Sequence, residues 1–216
     1  MSRTAAASPP PAVLYDIDWR TYTRVLRALE GPRRFRLTYD RGTLEIRYRR
    51  LLEHEGPAQL LGCLVAVLTE ELNLPSRSGG QVTLRRKRKQ RGLESDGCFW
   101  IANAARMRGK RHLDLRSDPP PDLALEVHVA GSSLDRISIF AALGVPELWH
   151  LSANDLTFHV LHNNTYRPQP NSLLFPPLAS ADLSGFLALW PKSDDTTIVR
   201  RFREMVRQTL VPPSSI

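Results

Sequence analysis

Long hydrophobic runs are missing from this chain of 216 residues. None approaches the roughly 18 apolar residues that a membrane-spanning helix needs, so no membrane partner is expected. The opening stretch, residues 1–14, is small and proline-rich without an apolar core. It therefore reads as a disordered leader and not as a secretory signal. With no targeting segment the expected location is the cytoplasm. Cysteine is almost absent. Cys63 and Cys98 cannot build a disulfide framework, lack the spacing of metal ligands, and read as small buried hydrophobes. Internal repeats and an inner linker are also missing. One domain is expected over residues 15–190, with a C-terminal helical extension over 191–216.

What is there in excess is positive charge. The net charge is +8 and the isoelectric point about 10.1, a balance that suits a polyanionic partner such as nucleic acid. An arginine-rich composition produces the same balance with no functional meaning, so a protein unconnected with nucleic acid is a third reading beside the two developed below.

Periodicity divides the chain into elements. Trp19, Tyr22, Val25, Leu26 and Leu29 fall at helical spacing before Gly31-Pro32. Phe35–Tyr39 and Thr43–Tyr48 alternate with period two around Asp40-Arg-Gly42, a β-hairpin. Glu55–Leu74 is a long helix with Pro57 in its first turn and a buried stripe from Leu60 to Leu72. Strands are expected at 81–85, 98–101, 123–129, 147–151, 156–161 and 165–167, with Asn163-Asn164 turning the last pair. A helix capped by Ser132-Ser-Leu-Asp135 runs to Leu143, and others lie at 180–189 and 196–210. The order predicts an α/β (α+β) fold with a mixed central β-sheet flanked by helices.

The strand Asp122-Leu-Ala-Leu-Glu126-Val-His128-Val129 carries the chemistry. Side chains alternate faces along a strand, so Leu123, Leu125, Val127 and Val129 share one face while Asp122, Ala124, Glu126 and His128 share the other. Buried carboxylates are costly unless paired or metal-bound. Either this is an edge strand with a solvated polar face, or the acids form a site. Two more acidic clusters stand nearby in sequence: Glu94-Ser-Asp96, readable as a turn, and Glu53-His54-Glu55, readable as favourable charge at a helix N-terminus.

In order, Tyr39-Asp-Arg-Gly-Thr-Leu-Glu-Ile, His54-Glu55, Gly92-x-Glu-x-Asp96-x-Cys-Phe, Pro121-Asp122-Leu-Ala-Leu-Glu126-Val and Gly144-Val-Pro-Glu-Leu-Trp149 resemble the Uma-type restriction endonuclease family of the PD-(D/E)xK nuclease superfamily. The resemblance covers roughly residues 15–190. It implies a restriction-endonuclease-like core and a Mg²⁺- or Mn²⁺-dependent endodeoxyribonuclease acting on DNA. It places Asp96 and Glu126 as the two motif acids and Glu55 as a helix acid joining them on the metal. Asp122 matches the aspartate opening the second strand. Such chemistry needs hard oxygen ligands, an activated water and a cation at the phosphate. The chain departs from the pattern at the lysine. Two residues after Glu126 stands His128, a base or metal ligand, and the matching position on the following helix is Arg136. Arginine binds phosphate bidentately but does not readily release a proton. The alternative reading is therefore a catalytically degenerate nucleic-acid-binding protein on the same fold.

Just before the first acid, Arg85-Arg86-Lys87-Arg88-Lys89-Gln-Arg91 places six cations in seven positions. Beside a site these suit sequence-independent phosphate contact; elsewhere they would be a solvated loop. No base-reading motif is present. Trp100, Trp149 and Trp190 read as core. Cutting both DNA strands would need two sites, hence a homodimer.

Overall fold

A computed structural model describes residues 10–29, 35–48, 52–128, 132–153 and 155–211, without the side chains of 52–54. Within these bounds the chain opens with β1 (Ala12–Leu14) and α1 (Trp19–Ala28). Asp18 caps α1, its Oδ1 accepting from Thr21 N at 2.7 Å, and the apolar stripe buries Tyr22 completely. The expected end of this helix at Gly31-Pro32 lies outside the described residues. β2 (Phe35–Asp40) and β3 (Thr43–Tyr48) form the expected hairpin. Its two-residue loop holds Arg41 at φ 46° and Gly42 at φ 95°, the twist-matched turn in which glycine carries no strain. α2 (Leu52–Glu71) begins three residues earlier than expected, so Pro57 lies inside it.

β4 (Arg77–Ser78), β5 (Thr83–Arg86), β6 (Arg91–Glu94), β7 (Gly97–Trp100) and β8 (Leu123–Val127) follow. α3 (Arg136–Leu143) is capped by Asp135, which accepts from Ser138 N, and not by Ser132. β9 (Glu147–Ser152), β10 (Asp155–His162) and β11 (Thr165–Gln169) form a meander turned at Asn163 and Asn164, both at positive φ. α4 (Ser180–Leu187) and α5 (Asp195–Thr209) close the described chain.

These elements build two sheets. The first is antiparallel, in the order β1-β3-β2-β6-β5. The second runs β11-β10-β9-β8-β7-β4 and is mixed, parallel at β8–β9. The α+β class with a mixed sheet and flanking helices is as expected. α1 covers one face of the first sheet. The approach there is close: a Cβ on Gly92 would lie 2.4 Å from the Tyr22 hydroxyl. Between the sheets, Leu84 and Leu93 meet Ala124 and Leu148 through Ile139, Phe140 and Leu143 of α3. The outer face of the second sheet carries the main core under α2, α4 and α5. α2 is apolar on more than one side, as a helix sandwiched between a sheet and other helices must be.

β8 settles the question its alternation raised. It lies between β7 and β9, and all five residues are buried. Leu123, Leu125 and Val127 enter the main core; Ala124 packs on the opposite side against α3, the side to which alternation sends Glu126. The solvated-edge reading is thereby excluded. Val129 lies outside the described residues.

Two boundary expectations change. Ala12–Leu14, expected within the disordered leader of residues 1–14, pairs with Leu44–Ile46 of β3. The span 191–216, expected as an extension, contributes Ile198, Phe202 and Val206 to the main core at zero exposure, and Arg203 and Arg207 of α5 pair with Glu71 of α2. Cys98 is buried, which pushes its thiol up to about 12, while Cys63 is half-buried. Trp100 and Trp149 are core, and Trp190 packs against it. No described helix is long and apolar enough to cross a membrane.

Candidate active site

Glu126 points from β8 toward the start of α3. Because Asp135 caps that helix, Arg136 is its first residue and leans over the carboxylate. Arg136 grips Glu126 bidentately, Nε donating to Oε1 and Nη2 to Oε2, the latter at 2.8 Å. It also donates from Nη1 to Thr38 Oγ1 and from Nη2 to the Glu94 carbonyl at 2.7 Å. Burial opposes the guanidinium charge. The charge and hydrogen bonds of Glu126, with Asp96 and Glu45, outweigh it and hold the arginine above its ordinary pKa.

Asp96, in the turn from β6 to β7, is the second acid. Its Oδ2 accepts from Val127 N at 2.8 Å, which fixes it beside Glu126, and its Oδ1 accepts from Arg36 Nη1 at 2.6 Å. Arg36 Nη2 donates to the same Glu94 carbonyl at 2.8 Å. The Asp96 side chain is 1% exposed and sits behind Arg36. A third acid, Glu45, is fully buried. It pairs with Arg47 at 2.9 Å and accepts from Ser133 N at 2.7 Å, tying β3 to the approach to α3. Three buried acids thus meet three arginines, as buried charge requires.

A cavity of about 250 Å³ opens over this network, lined by Arg36, Arg47, Glu55, Glu126, Arg136 and a pair of histidines, His128 and His150. His150 is the register partner of Glu126 across the parallel strands. Its ring stands perpendicular to that of His128, centroids 5.8 Å apart. Burial lowers the pKa of His150, the Glu126 charge partly offsets this, and His128 lowers it further.

Of the expected site residues, Asp96, Glu126 and Arg136 come together. His128 and Glu55 line the cavity, His128 exposed. Glu55 accepts from Gln81 Nε2 at 2.7 Å. It does not complete the expected metal set with Asp96 and Glu126: among the described residues no group of three or more His, Cys, Asp or Glu side chains is placed to hold a metal ion. Asp122 does not line the cavity. Its Oδ2 accepts from Ile101 N at 2.7 Å and Asn103 N at 3.0 Å, and its Oδ1 from Asn103 Nδ2 at 2.7 Å. It clamps the loop after β7, and this is how its buried charge is satisfied. The side chains of Glu53 and His54 lie outside the described residues.

The basic run is a hairpin tip and not an extended ribbon. Lys87–Lys89 form a 3-10 turn, exposed throughout, and Arg85 is exposed beside it. Arg86 is half-buried. Arg91 is removed from the expected phosphate contacts. It pairs with Asp40 at 2.8 Å and donates to the Ser138 carbonyl at 3.1 Å.

The donor chemistry fits a magnesium ion of one kind. Mg²⁺ usually keeps several waters and is held by one or two carboxylates together with substrate phosphate, without an all-protein cage. Asp96 and Glu126 are two adjacent hard-oxygen donors of that sort. Each oxygen keeps a second acceptor position beside the bond it already accepts, from an arginine or, at Asp96 Oδ2, from Val127 N.

Sequence reading missed Arg36, Glu45, Arg47 and His150. The signal was available for Arg36 and His150, because each alternates with core residues: Arg36 with Leu37, His150 with Trp149. It is the same kind of polar face that marked Glu126.

The family model described as "Putative restriction endonuclease" (Uma2) matches residues 21–190. No curated protein matches the sequence. A crystal structure described as "a putative nuclease belonging to DUF820", from Anabaena variabilis ATCC 29413, is 16% identical and covers 70% of this chain and 90% of its own, with a TM-score of 0.46.

Proposed function

This chain belongs to the family described as "Putative restriction endonuclease", and on that premise we propose that it hydrolyses phosphodiester bonds of DNA in the cavity over Glu126 and Arg136. One observation carries the reading: Asp96, in the turn before β7, and Glu126 of β8 share a buried network with the guanidinium of Arg136, which the resemblance matches to the lysine of the motif. Asp96 and Glu126 would hold Mg²⁺ or Mn²⁺, which when bound supplies a lowered water pKa and charge neutralisation at the phosphate. Arg136 and Arg36 are fork-shaped donors matched to phosphate oxygens. A phosphate that takes over part of the Arg136 fork frees Glu126 to accept a hydrogen bond from water. His128 and His150 stand at the cavity rim as proton-accepting groups.

A second reading has its own observation. Both acids are already neutralised, and Asp96 is closed off behind Arg36. Acids already paired in this way suit a protein that binds DNA without cutting it.

Supercoiled plasmid incubated with Mg²⁺ or Mn²⁺, and in parallel with EDTA, separates the two. The first reading expects metal-dependent nicking. Salt-sensitive binding with no nicking under any condition would replace it with the second, and no binding at low salt would refute both.

A further inference from the structure

Among the described residues the arginines at the buried acids are paired, whereas two exposed arginines line a second and larger cavity. This cavity, about 620 Å³, opens among the end of α1, β2, β5 and the loop at 111–113. Leu26, Leu29, Phe35 and Leu37 form its apolar wall; Arg85 and Arg111 are its exposed cations, and among the described residues the buried Glu94 is its one acid. Both arginines are exposed; the charge of Arg85 acts on Asp114, but neither arginine forms a salt bridge among the described residues. Arg36, Arg47 and Arg136 are each spent on an acid.

Phe35 and Tyr48 stand at the boundary of the two cavities. They are register partners on β2 and β3, with ring centroids 5.6 Å apart at 89°. Phe35 lines the larger cavity, and Tyr48 lines the smaller one with Glu126 and Arg136. Among the described residues no core cluster takes them in. The same-face pair two residues in, Leu37 and Ile46, packs with α1, whereas Phe35 and Tyr48 are 39% and 46% exposed.

Aromatic faces beside unpaired arginines are the recognition chemistry of unpaired nucleotides: bases stack on the rings and phosphates follow the guanidiniums. In a duplex the base faces are occupied by one another, so only unpaired bases can use such a ridge. We infer that Phe35 and Tyr48 form a stacking ridge for unpaired nucleotides whose phosphates track Arg85 and Arg111. The DNA this chain engages is then single-stranded, or carries an unpaired flank beside the site. The inference rests on the DNA reading above, yet needs neither metal nor cleavage.

Fluorescence anisotropy of the full chain in EDTA tests it, with labelled oligothymidine and a labelled duplex of equal length. The wild type is expected to favour the single strand. Phe35→Ala with Tyr48→Ala should weaken single-strand binding roughly 10-fold or more and duplex binding by much less. Phe35→Trp, which keeps a stacking face, should retain the affinity, and Arg85→Ala should weaken both DNA forms. Single-strand affinity that survives loss of both rings, or falls equally for both forms, would overturn the ridge. Duplex binding and nicking without that ring dependence would leave the DNA reading standing and remove only the ridge. No binding to either form at low salt would remove both.

Discussion

The pairing of Glu126 with Arg136 is the most consequential residue-level feature, because neither charge is tolerable alone at that depth. Arg136→Ala should cost about 3–5 kcal/mol of stability in urea unfolding, since it strands the carboxylate. The double change Glu126→Leu with Arg136→Met removes both charges and should cost much less than the sum of the two single losses. Additive losses would mean that the pair does not interact as described. Two other side chains set a pH dependence. Burial holds His150 and His159 below their ordinary 6.5. The unfolded chain therefore binds more protons near that pH, and stability should fall as pH drops through 6.5. Glu147, raised by burial from 4.5, works in the opposite direction from lower pH. The measurement is therefore the difference between the wild type and His150→Gln with His159→Gln, whose acid-side loss should be smaller. Glu126 was legible in the sequence because a polar face on a strongly apolar strand needs a reason. The partner of Asp96 was not, because Arg36 lies 60 positions away and only the pairing of β2 with β6 brings it near. The loop partners of Asp122 were hidden for a related reason. Alternation reports the face of a residue, not whether its oxygens are already bonded to a loop.

At the level of elements, periodicity located the hairpin, the long helix, the β8 strand and the meander, because each buries one regular face. It did not reveal what a short or terminal element leans on. Ala12–Leu14 has no pattern of its own and is a strand because β3 offers it an edge. α5 reads as an ordinary amphipathic helix, and only the fold shows that its apolar face completes the main core. Truncation before Asp195 exposes the surface covered by Ile198, Phe202 and Val206. At roughly 1.5–3 kcal/mol per buried side chain, the loss is about 5–9 kcal/mol, comparable with the whole stability of a domain. Such a variant should unfold or aggregate; a cooperative thermal transition near that of the full chain would contradict the packing. The hairpin tip makes an electrostatic counterpart. Replacing Lys87, Arg88 and Lys89 with alanine should lower the slope of log affinity against log salt for duplex DNA by up to about 3, near 0.9 for each phosphate no longer neutralised. An unchanged slope would remove the tip from the DNA surface. Arg91→Ala should leave the slope unchanged, because its charge is spent on Asp40.

Across the whole molecule, charge is partitioned. Glu45, Asp96 and Glu126 are balanced by Arg47, Arg36 and Arg136 where the two sheets meet α3, while a net +8 remains for the chain as a whole. The inner network holds the two sheets and α3 in register, and the outer charge supplies attraction for a polyanion. On the proposed reading, the inner acids also do chemistry on what the outer charge collects. It is tested most directly by the rate at which Glu126→Gln nicks supercoiled plasmid in Mg²⁺ or Mn²⁺, beside a wild type of matching near-UV circular dichroism. The expected result is metal-dependent nicking by the wild type that falls by at least roughly 100-fold in the variant, the upper end of what even outer partners of a metal site cost. Equal nicking by the two proteins would contradict a role for Glu126 in the chemistry.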